Sequence, residues 1–246
     1  PLVICVPSLG DVRAEYRFLV PQLVAAGFRA VSMDVRGMGE TSPEWADYSV
    51  AGVGQDMLAL ISELDAGPAI IVGTSMAAGA AVWAAAEAPH LVRGLILGGP
   101  FVRGDGNWFL EALFSLMLKR PWGPSIWLRY YSSLYPSCKP EDFAEYSAAL
   151  QRNLNEPGRL EGLRKIIAAP KRASEERIAR VDKPTLVLMG SKDPDFKNPE
   201  SEAKWVAEQV NGTYQLIENA GHYPHAEMPE ATAALMLNFM KSLPNQ

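Results

Sequence analysis

AIIVGTSMAAGAAVW, the stretch from Ala69 to Trp83, decides how this chain folds. An apolar run reaches Gly73, a short turn follows around Ser75, and an alanine-rich segment continues beyond it. The short apolar run is typical of a buried strand, and the alanine-rich segment favours a helix. The sequence therefore predicts a lone serine at a strand-to-helix turn.

This turn has two interpretations. Gly73, Ser75 and Ala77 fit the pattern Gly-x-Ser-x-small, which arises by chance in roughly a quarter of chains this long at ordinary residue frequencies. One interpretation is a small serine that only helps the helix start to pack. The other is a nucleophile in a tight bend, because strand–turn–helix is the context of a nucleophile elbow. A helix N-terminus also stabilises negative charge beside that hydroxyl.

Composition narrows the class of protein. With 246 residues, 48% hydrophobic and 21% charged, the chain can bury a full core without disulfides or metals. The net charge of −5 and the pI near 5.3 argue against nucleic-acid and anionic-membrane partners. Two cysteines, Cys5 and Cys138, do not suggest a disulfide framework. No apolar run approaches the roughly 18 residues of a membrane span, no signal peptide is recognisable, and a cytoplasmic location is expected.

Apolar runs alternate with helical patterns along most of the chain, which predicts an α/β fold with a mostly parallel sheet covered on both faces. Ligand sites in such sheets form at the C-terminal ends of the strands. The predicted strands are Val3–Val6, Arg29–Met33, Ala69–Val72, Leu91–Leu97, Thr185–Met189 and Thr213–Ile217. The predicted helices are Glu15–Ala26, Ser49–Leu64, Ala77–Ala88, Glu200–Val210 and Pro229–Leu243.

One segment interrupts this alternation. Residues 103–180 contain no convincing strand but many aromatic residues and prolines, followed by charged helical sequence. We interpret them as a helical cap inserted above the sheet. The core is then formed by residues 1–102 and 181–246.

A serine nucleophile needs a base, usually a histidine, and the chain has three. His90 precedes a predicted strand, at the edge of the sheet opposite Ser75, which favours a structural role. His222 and His225 follow the last predicted strand, at the same edge as Ser75. We favour His222, because Gly221 lets the loop turn tightly; His225 is the alternative base, or it anchors the loop, for example to Glu227.

The base needs a carboxylate to orient it. Asp193 and Asp195 both follow the strand in LVLMGSKDPDF, and either residue is compatible with a turn or helix-capping role. We favour Asp193 because it is nearer the strand end. The chain order is then Ser75, Asp193, His222, which is the triad order of α/β-hydrolases.

Together these motifs resemble the α/β-hydrolase superfamily, close to its single-domain esterase, lactonase and cofactor-free haloperoxidase-like branch. MDVRGMGETS (Met33–Ser42) is similar to the family's loop after an early strand. GSKDPDF is similar to its acid loop, and AGHYPHAEMPE to its histidine loop. The resemblance implies the α/β-hydrolase fold with a helical cap over nearly the whole chain.

Two positions depart from the family pattern. Pro7-Ser8 stands where the family often has His-Gly, in the loop that supplies one oxyanion donor. By position that donor is the backbone N–H of Leu9, paired with the N–H of Met76, while Ser8 either adds a hydroxyl or only holds the turn. Ala77 stands where glycine is commoner, which tightens the packing requirement for the helix.

The resemblance implies a serine hydrolase that forms an acyl-enzyme at Ser75 and needs no cofactor. Carboxylic esters or lactones of small to medium hydrophobic acyl compounds are expected substrates, acyl-homoserine lactones among them, and perhydrolysis by peroxide stays open. A ligand-binding or signalling protein with little turnover is the alternative. No metal site is expected, because His222 and His225 lie three apart without a zinc-type cluster.

Two aromatic residues are expected to line the acyl pocket. Phe101 lies just past a strand end, and Trp108 lies near the start of the inserted segment. Packing of the cap on the core is an equally good explanation for both. A histidine has an unperturbed pKa of about 6.5, near working pH, and a histidine base predicts that activity falls as acid protonates His222. The oligomeric state is left open.

Overall fold

A computed structural model describes residues 1–103, 113–114 and 116–244 of the chain. Six strands form one sheet in the order β2-β1-β3-β4-β5-β6, and every neighbouring pair is parallel. The predicted α/β fold is confirmed, and the strands differ from their predicted bounds by at most two residues at either end. They are β1 Leu2–Val6, β2 Arg29–Ser32, β3 Ala69–Thr74, β4 Val92–Gly98, β5 Thr185–Gly190 and β6 Thr213–Ile217.

Helices cover both faces of the sheet. Helices α1 and α10 pack on one face, while α2, α3 and α8 pack on the other. The α-helices are α1 Leu19–Ala25, α2 Val50–Leu64, α3 Met76–Glu87, α4 Gly123–Ser133, α5 Phe143–Asn155, α6 Arg159–Ala168, α7 Arg172–Glu175, α8 Pro199–Gln209, α9 Pro224–Glu227 and α10 Pro229–Ser242. Short 3₁₀ helices are formed by Arg13–Tyr16, Pro89–Leu91 and Ile178–Arg180.

Strand β3 shows why the apolar runs are continuous. Ala69 and Ile71 pack into the core on one face, while Ile70 and Val72 pack into the core on the other. Successive strand side chains point to opposite faces, so a strand with helices on both sides must be apolar throughout. This requirement places the Ser75 turn at the end of a strand buried in the centre of the sheet.

The described residues between β4 and β5 form helices rather than strands, as the sequence indicated. Helix α4 approaches the C-terminal edge of the sheet, where the indole N–H of Trp127 donates to the carbonyl of Gly10 at 3.1 Å. This helical segment therefore lies over the edge where Ser75 is found. The division into core and cap at residues 103 and 180 stays a prediction.

The predicted helix Glu15–Ala26 is wrong in its first four residues. The chain forms the 3₁₀ turn Arg13–Tyr16 and begins α1 only at Leu19. Pro21 accounts for the break, because a proline well inside a helix lacks the N–H and clashes with the preceding turn. Starting the helix at Leu19 puts Pro21 in the first turn, where proline is tolerated.

Within the described part of the chain, no helix combines the length and apolarity that crossing a membrane requires.

Candidate active site

Ser75 occupies a strained turn between β3 and α3. Its φ of 59° and ψ of −122° lie outside the regions that side-chain-bearing residues ordinarily adopt. The turn is held because the Ser75 N–H donates to the carbonyl of Gly98 at 2.8 Å, and its own carbonyl accepts from the N–H of Phe101 at 3.2 Å. Such strain costs about 1–3 kcal/mol and clusters at functional sites, which favours the nucleophile interpretation over simple packing.

Gly73 is needed because helix α3 folds back closely on the strand. A Cβ at this position would lie 2.7 Å from the carbonyl oxygen of Ala77, closer than real Cβ atoms approach. The backbone at Ala77 therefore lies directly against Gly73. The small residues around the serine are required by this close approach.

His222 and Asp193 form a buried pair at the same edge of the sheet. Nδ1 of His222 lies 2.7 Å from Oδ2 of Asp193, and both side chains are almost fully buried. A carboxylate can only accept a hydrogen bond, so Nδ1 carries the hydrogen. In the neutral ring, Nε2 is then the nitrogen free to accept a proton.

Backbone hydrogen bonds hold the two loops that carry this pair. The Lys192 N–H donates to the carbonyl of Ala220 at 2.9 Å, which joins the acid loop to the histidine loop. The His222 N–H donates to the carbonyl of Leu134 at 3.0 Å, which anchors the histidine loop to the end of α4. The pair is therefore positioned by β5, β6 and the helical segment together.

Asp195 has a different environment from Asp193. Its nearer oxygen lies 3.9 Å from Nδ1 of His222, and both of its oxygens accept from the Tyr130 hydroxyl, at 2.9 and 2.7 Å. Its N–H donates to Oδ1 of Asp193 at 3.0 Å. Burial raises the pKa of Asp195, against the charge of His222 and the Tyr130 hydrogen bond. Of the two carboxylates, Asp193 has the orienting geometry.

The other two histidines lie outside this pair. His90 is exposed, in the turn before β4 at the opposite edge of the sheet. His225 is buried, but no hydrogen bond or ion pair joins it to Glu227, so the suggested anchor is not formed. Its Nε2 lies 3.2 Å from Oε1 of Glu15. Because α9 begins at Pro224, Glu227 turns back instead and accepts from the Gly221 N–H.

A cavity of about 440 Å³ opens above the strand ends. Ser75 and His222 both line it, although no hydrogen bond joins the Ser75 hydroxyl to the imidazole among the described residues. Catalytic hydrogen bonds are often long before substrate binds. The remaining lining residues are Ser8, Leu9, Met76, Phe101, Arg103, Phe114, Trp127, Tyr130, Leu134, Ile167, Ala168, Ala169, Pro170, Lys171, Arg172, Asp195 and Tyr223.

Both candidate oxyanion donors border this cavity. Met76 is the first residue of α3, where backbone N–H groups have no acceptor inside the helix. The N–H of Leu9 has no acceptor among the described residues. Ser8 holds the turn, because its hydroxyl is bonded to the Tyr223 hydroxyl at 2.7 Å. That the N–H groups of Leu9 and Met76 bind an oxyanion stays a prediction.

The structure describes one of the two predicted pocket residues, Phe101. Phe101 lines the cavity, with its ring centroid 4.8 Å from that of Phe196 and 6.0 Å from that of His222. Trp108 lies outside the described residues. The cavity also has basic side chains, those of Arg103, Lys171 and Arg172, which no sequence motif indicated.

The His222 pKa leads to a prediction for the pH profile. Burial by itself lowers this pKa, but the charge and hydrogen bond of Asp193, helped by Asp195 and Glu15, raise it to about 9. Only the neutral ring can act as a base, so we expect kcat/KM to rise with pH through an apparent pKa near 9. A rate profile for a neutral ester measures this. A plateau already reached at pH 7 contradicts the prediction.

Gly99 gives a second prediction. Its φ is +47°, and a Cβ there would lie 3.0 Å from Nδ1 of His222 and 3.2 Å from Oδ2 of Asp193. We expect Gly99→Ala to lose about 1–2 kcal/mol of stability through backbone strain. Displacing the ring should also lower kcat by about tenfold or more.

Gly27→Ala is the matched control for this change. Gly27 also has positive φ, +88°, but a Cβ there meets nothing within 4 Å. Its replacement should cost stability and leave kcat unchanged. Equal kcat values for the two variants, measured well below their unfolding temperatures, would show that Gly99 does not act on the histidine.

One group among the described residues offers three possible metal ligands within 4.8 Å of one another, namely Asp193, Asp195 and His222. The hydrogen bond between His222 and Asp193 already accounts for their close approach. The Tyr130 hydroxyl occupies both oxygens of Asp195. The donor set therefore fits a proton-transfer pair better than a cation site.

A parallel sheet of this order, with a strained serine turn after its central strand, defines an α/β-hydrolase architecture. The family model for the alpha/beta hydrolase fold matches residues 1–229, and the chain belongs to this family.

Similar proteins within this family have diverse names. A protein of Mycobacterium tuberculosis that is named as a non-heme bromoperoxidase, BpoC, is 29% identical over 99% of this chain and 94% of its own length. The karrikin insensitive 2 receptor IA of Petunia hybrida is 26% identical over 94% of this chain and 86% of its own length. The crystal structure of BpoC aligns with a TM-score of 0.81 at 26% identity, over 99% of this chain and 93% of BpoC.

Several residues at the site were missed by the sequence analysis. Glu15 and Tyr223 are the main examples, since both contact Ser8. One signal for Glu15 was present in the sequence, where it precedes Leu19 and Leu23 by four and eight residues, the spacing of one apolar face of the helix predicted there. The structure places Glu15 in the 3₁₀ turn before α1, where it is nevertheless buried. An acidic residue in such a series indicates a specific polar partner in the core.

Proposed function

We propose that this protein is a serine hydrolase that cleaves carboxylic esters or lactones of small to medium hydrophobic acyl compounds. The observation that carries the proposal is a strained Ser75 turn that shares a cavity with the buried His222–Asp193 pair. Family membership supports hydrolytic chemistry in general. A serine, an imidazole and a carboxylate at one strand edge are the groups that acyl transfer needs.

The proposed reaction begins when the Ser75 oxygen attacks the substrate carbonyl while Nε2 of His222 takes its proton. Asp193 fixes the ring tautomer and stabilises the imidazolium. The N–H groups of Leu9 and Met76 receive the oxyanion, and the imidazolium then protonates the leaving alcohol as the tetrahedral intermediate collapses. Water, deprotonated by the same histidine, releases the acid and restores Ser75.

The cavity supports the expected substrate class. Its volume of about 440 Å³ and its many apolar lining residues suit a small to medium acyl compound. The ring of Phe101 beside His222 places an apolar wall next to the reacting atoms. Acyl-homoserine lactones and simple aryl esters therefore both belong in the first substrate panel.

The decisive experiment combines that panel with a fluorophosphonate probe. We expect hydrolysis of at least one ester or lactone, and one-to-one labelling that peptide mapping assigns to Ser75. Hydrogen peroxide added to the ester assay tests perhydrolysis, because peroxide can replace water at the acyl-enzyme. A protein that neither hydrolyses the panel nor reacts with the probe is not a serine hydrolase.

A second candidate is a ligand receptor with slow turnover. The similarity to a petunia protein named as a receptor supports this second candidate. The two candidates differ in turnover: a ligand receptor with slow turnover releases few product molecules per protein molecule, whereas an enzyme continues to release product. Product counted against the concentration of labelled Ser75 distinguishes them.

A further inference from the structure

Ser8 precedes the candidate oxyanion donor Leu9, and all three of its polar groups are engaged. Its N–H donates to Oε2 of Glu15 at 2.7 Å. Its carbonyl accepts from the N–H of Asp11 at 3.3 Å, and its hydroxyl is bonded to the Tyr223 hydroxyl at 2.7 Å. These bonds fix the orientation of Ser8 from three sides.

The orientation of Ser8 determines where the Leu9 N–H points. The two residues share one peptide unit, which is trans, since the cis bond found in the described residues is the one before Pro121. In a planar trans peptide the C=O and N–H point in opposite directions. The Ser8 carbonyl points toward Asp11, so the Leu9 N–H points the other way, and Leu9 lines the cavity.

Glu15 connects this loop to the histidine loop. Its side chain is 1% exposed, with one oxygen on the Ser8 N–H and the other 3.2 Å from Nε2 of His225. This second contact is not a hydrogen bond, and neither atom has a hydrogen-bond partner among the described residues. His225 is 3% exposed and stacks on Tyr16, with ring centroids 4.9 Å apart.

Burying such a pair is costly. Replacing buried polar pairs by apolar side chains of similar volume is often neutral or stabilising. Stability alone therefore does not account for Glu15 and His225 beneath the cavity. The Ser8 N–H is the group that gains from them, because without Glu15 it would be buried without an acceptor.

We propose that Glu15, which lies against His225, is a positioning residue that holds the Ser8–Leu9 peptide so that the Leu9 N–H faces the developing oxyanion. The inference rests on the proposed function of the same site. It assigns a role in transition-state binding to a carboxyl group that is not among the residues lining the cavity.

Two substitutions test the role of Glu15. Glu15→Ala removes the acceptor for the Ser8 N–H, and we expect kcat/KM to fall by about 100-fold, as for a misplaced reacting group. Glu15→Gln keeps a carbonyl oxygen of the same reach, and should stay within about tenfold of wild type. A trifluoromethyl ketone analogue of the best panel substrate should lose affinity for Glu15→Ala by the same factor as kcat/KM, with KM unchanged.

A structural control separates positioning from stability. Asp56→Ala breaks the ion pair with Arg36, whose Nε lies 2.5 Å from the carboxylate on α2, outside the cavity. This variant should lose stability and keep both kcat/KM and analogue affinity. If Glu15→Ala does not fold, Glu15→Asp replaces it, because the shorter side chain keeps the charge but withdraws the acceptor.

The possible outcomes separate the positioning role of Glu15 from the proposal that the protein is a serine hydrolase. If the wild type hydrolyses the panel and Glu15→Ala has the same kcat/KM, the positioning role is overturned and the hydrolase proposal stays intact. The same conclusion follows if the analogue binds Glu15→Ala as tightly as it binds the wild type. If Glu15→Asp is used in place of Glu15→Ala, full activity of Glu15→Asp also overturns the positioning role. A wild type that neither turns over nor labels at Ser75 overturns both.

Discussion

Replacement of Ser75 by alanine is expected to lower kcat for ester or lactone hydrolysis by about 10⁴-fold or more. The variant keeps the cavity and the His222–Asp193 pair but has no oxygen with which to form the acyl-enzyme. Stability should change by less than about 0.5 kcal/mol, since the hydroxyl makes no hydrogen bond among the described residues and alanine meets the same backbone strain as serine. Steady-state kinetics and thermal unfolding measure the two quantities.

Ser174→Ala is the matched control for that experiment. Ser174 is fully buried, and its hydroxyl donates to the carbonyl of Gly79 at 2.8 Å. Its loss should cost about 1 kcal/mol and leave turnover in place. If Ser75→Ala retains more than about a tenth of wild-type activity, or if fluorophosphonate still labels it, another nucleophile does the chemistry.

The second large effect is expected at Asp193. Asp193→Asn should lower kcat by about 10⁴-fold, because an asparagine does not hold Nδ1 protonated and the ring loses its useful tautomer. The measurement belongs at a pH above the His222 pKa, where the wild-type base is neutral. Thermal unfolding should confirm that the variant remains folded.

Asp195→Asn is the natural comparison, since this carboxylate lies 3.9 Å from Nδ1 rather than 2.7 Å. We expect its kcat to fall less than about tenfold, and its pH midpoint to move down, because Asp195 is one of the charges that raise the pKa of His222. If instead Asp195→Asn is the severe variant and Asp193→Asn the mild one, the acid is misassigned.

The inner strands β1, β3, β4 and β5 were predictable because each is a short, largely buried apolar run, and β3 illustrates how such a run packs into cores on both faces. The turn at Ser75 was predictable for a related reason, since Gly73 must be small where α3 returns. The preference for Asp193 over Asp195 followed from distance to the strand end, and the geometry of the His222 contact agrees with it. Constraints of this kind act between residues that are close together in the sequence, so the sequence alone can indicate them.

Contacts between distant parts of the chain were not predictable in the same way. His225 was paired in sequence with its neighbour Glu227, but it meets Glu15 from the other end of the chain. That meeting depends on the break before α1, which Pro21 imposes and which the periodic pattern concealed. The approach of Tyr130 to Asp195 depends likewise on how α4 lies over the sheet.

The chain leaves the sheet after Gly98 and re-enters it at Thr185 on the adjacent strand, with Leu95 opposite Thr185 in register. The backbone ladder thus joins β4 directly to β5, although the helices α4 to α7 lie between these strands along the chain. The ladder does not depend on these helices, so we expect that they can be exchanged while the sheet and the Ser75 turn are retained. An engineered chimera has to preserve only a few anchors, such as the Leu134 carbonyl that receives the His222 N–H and the Trp127 indole on Gly10.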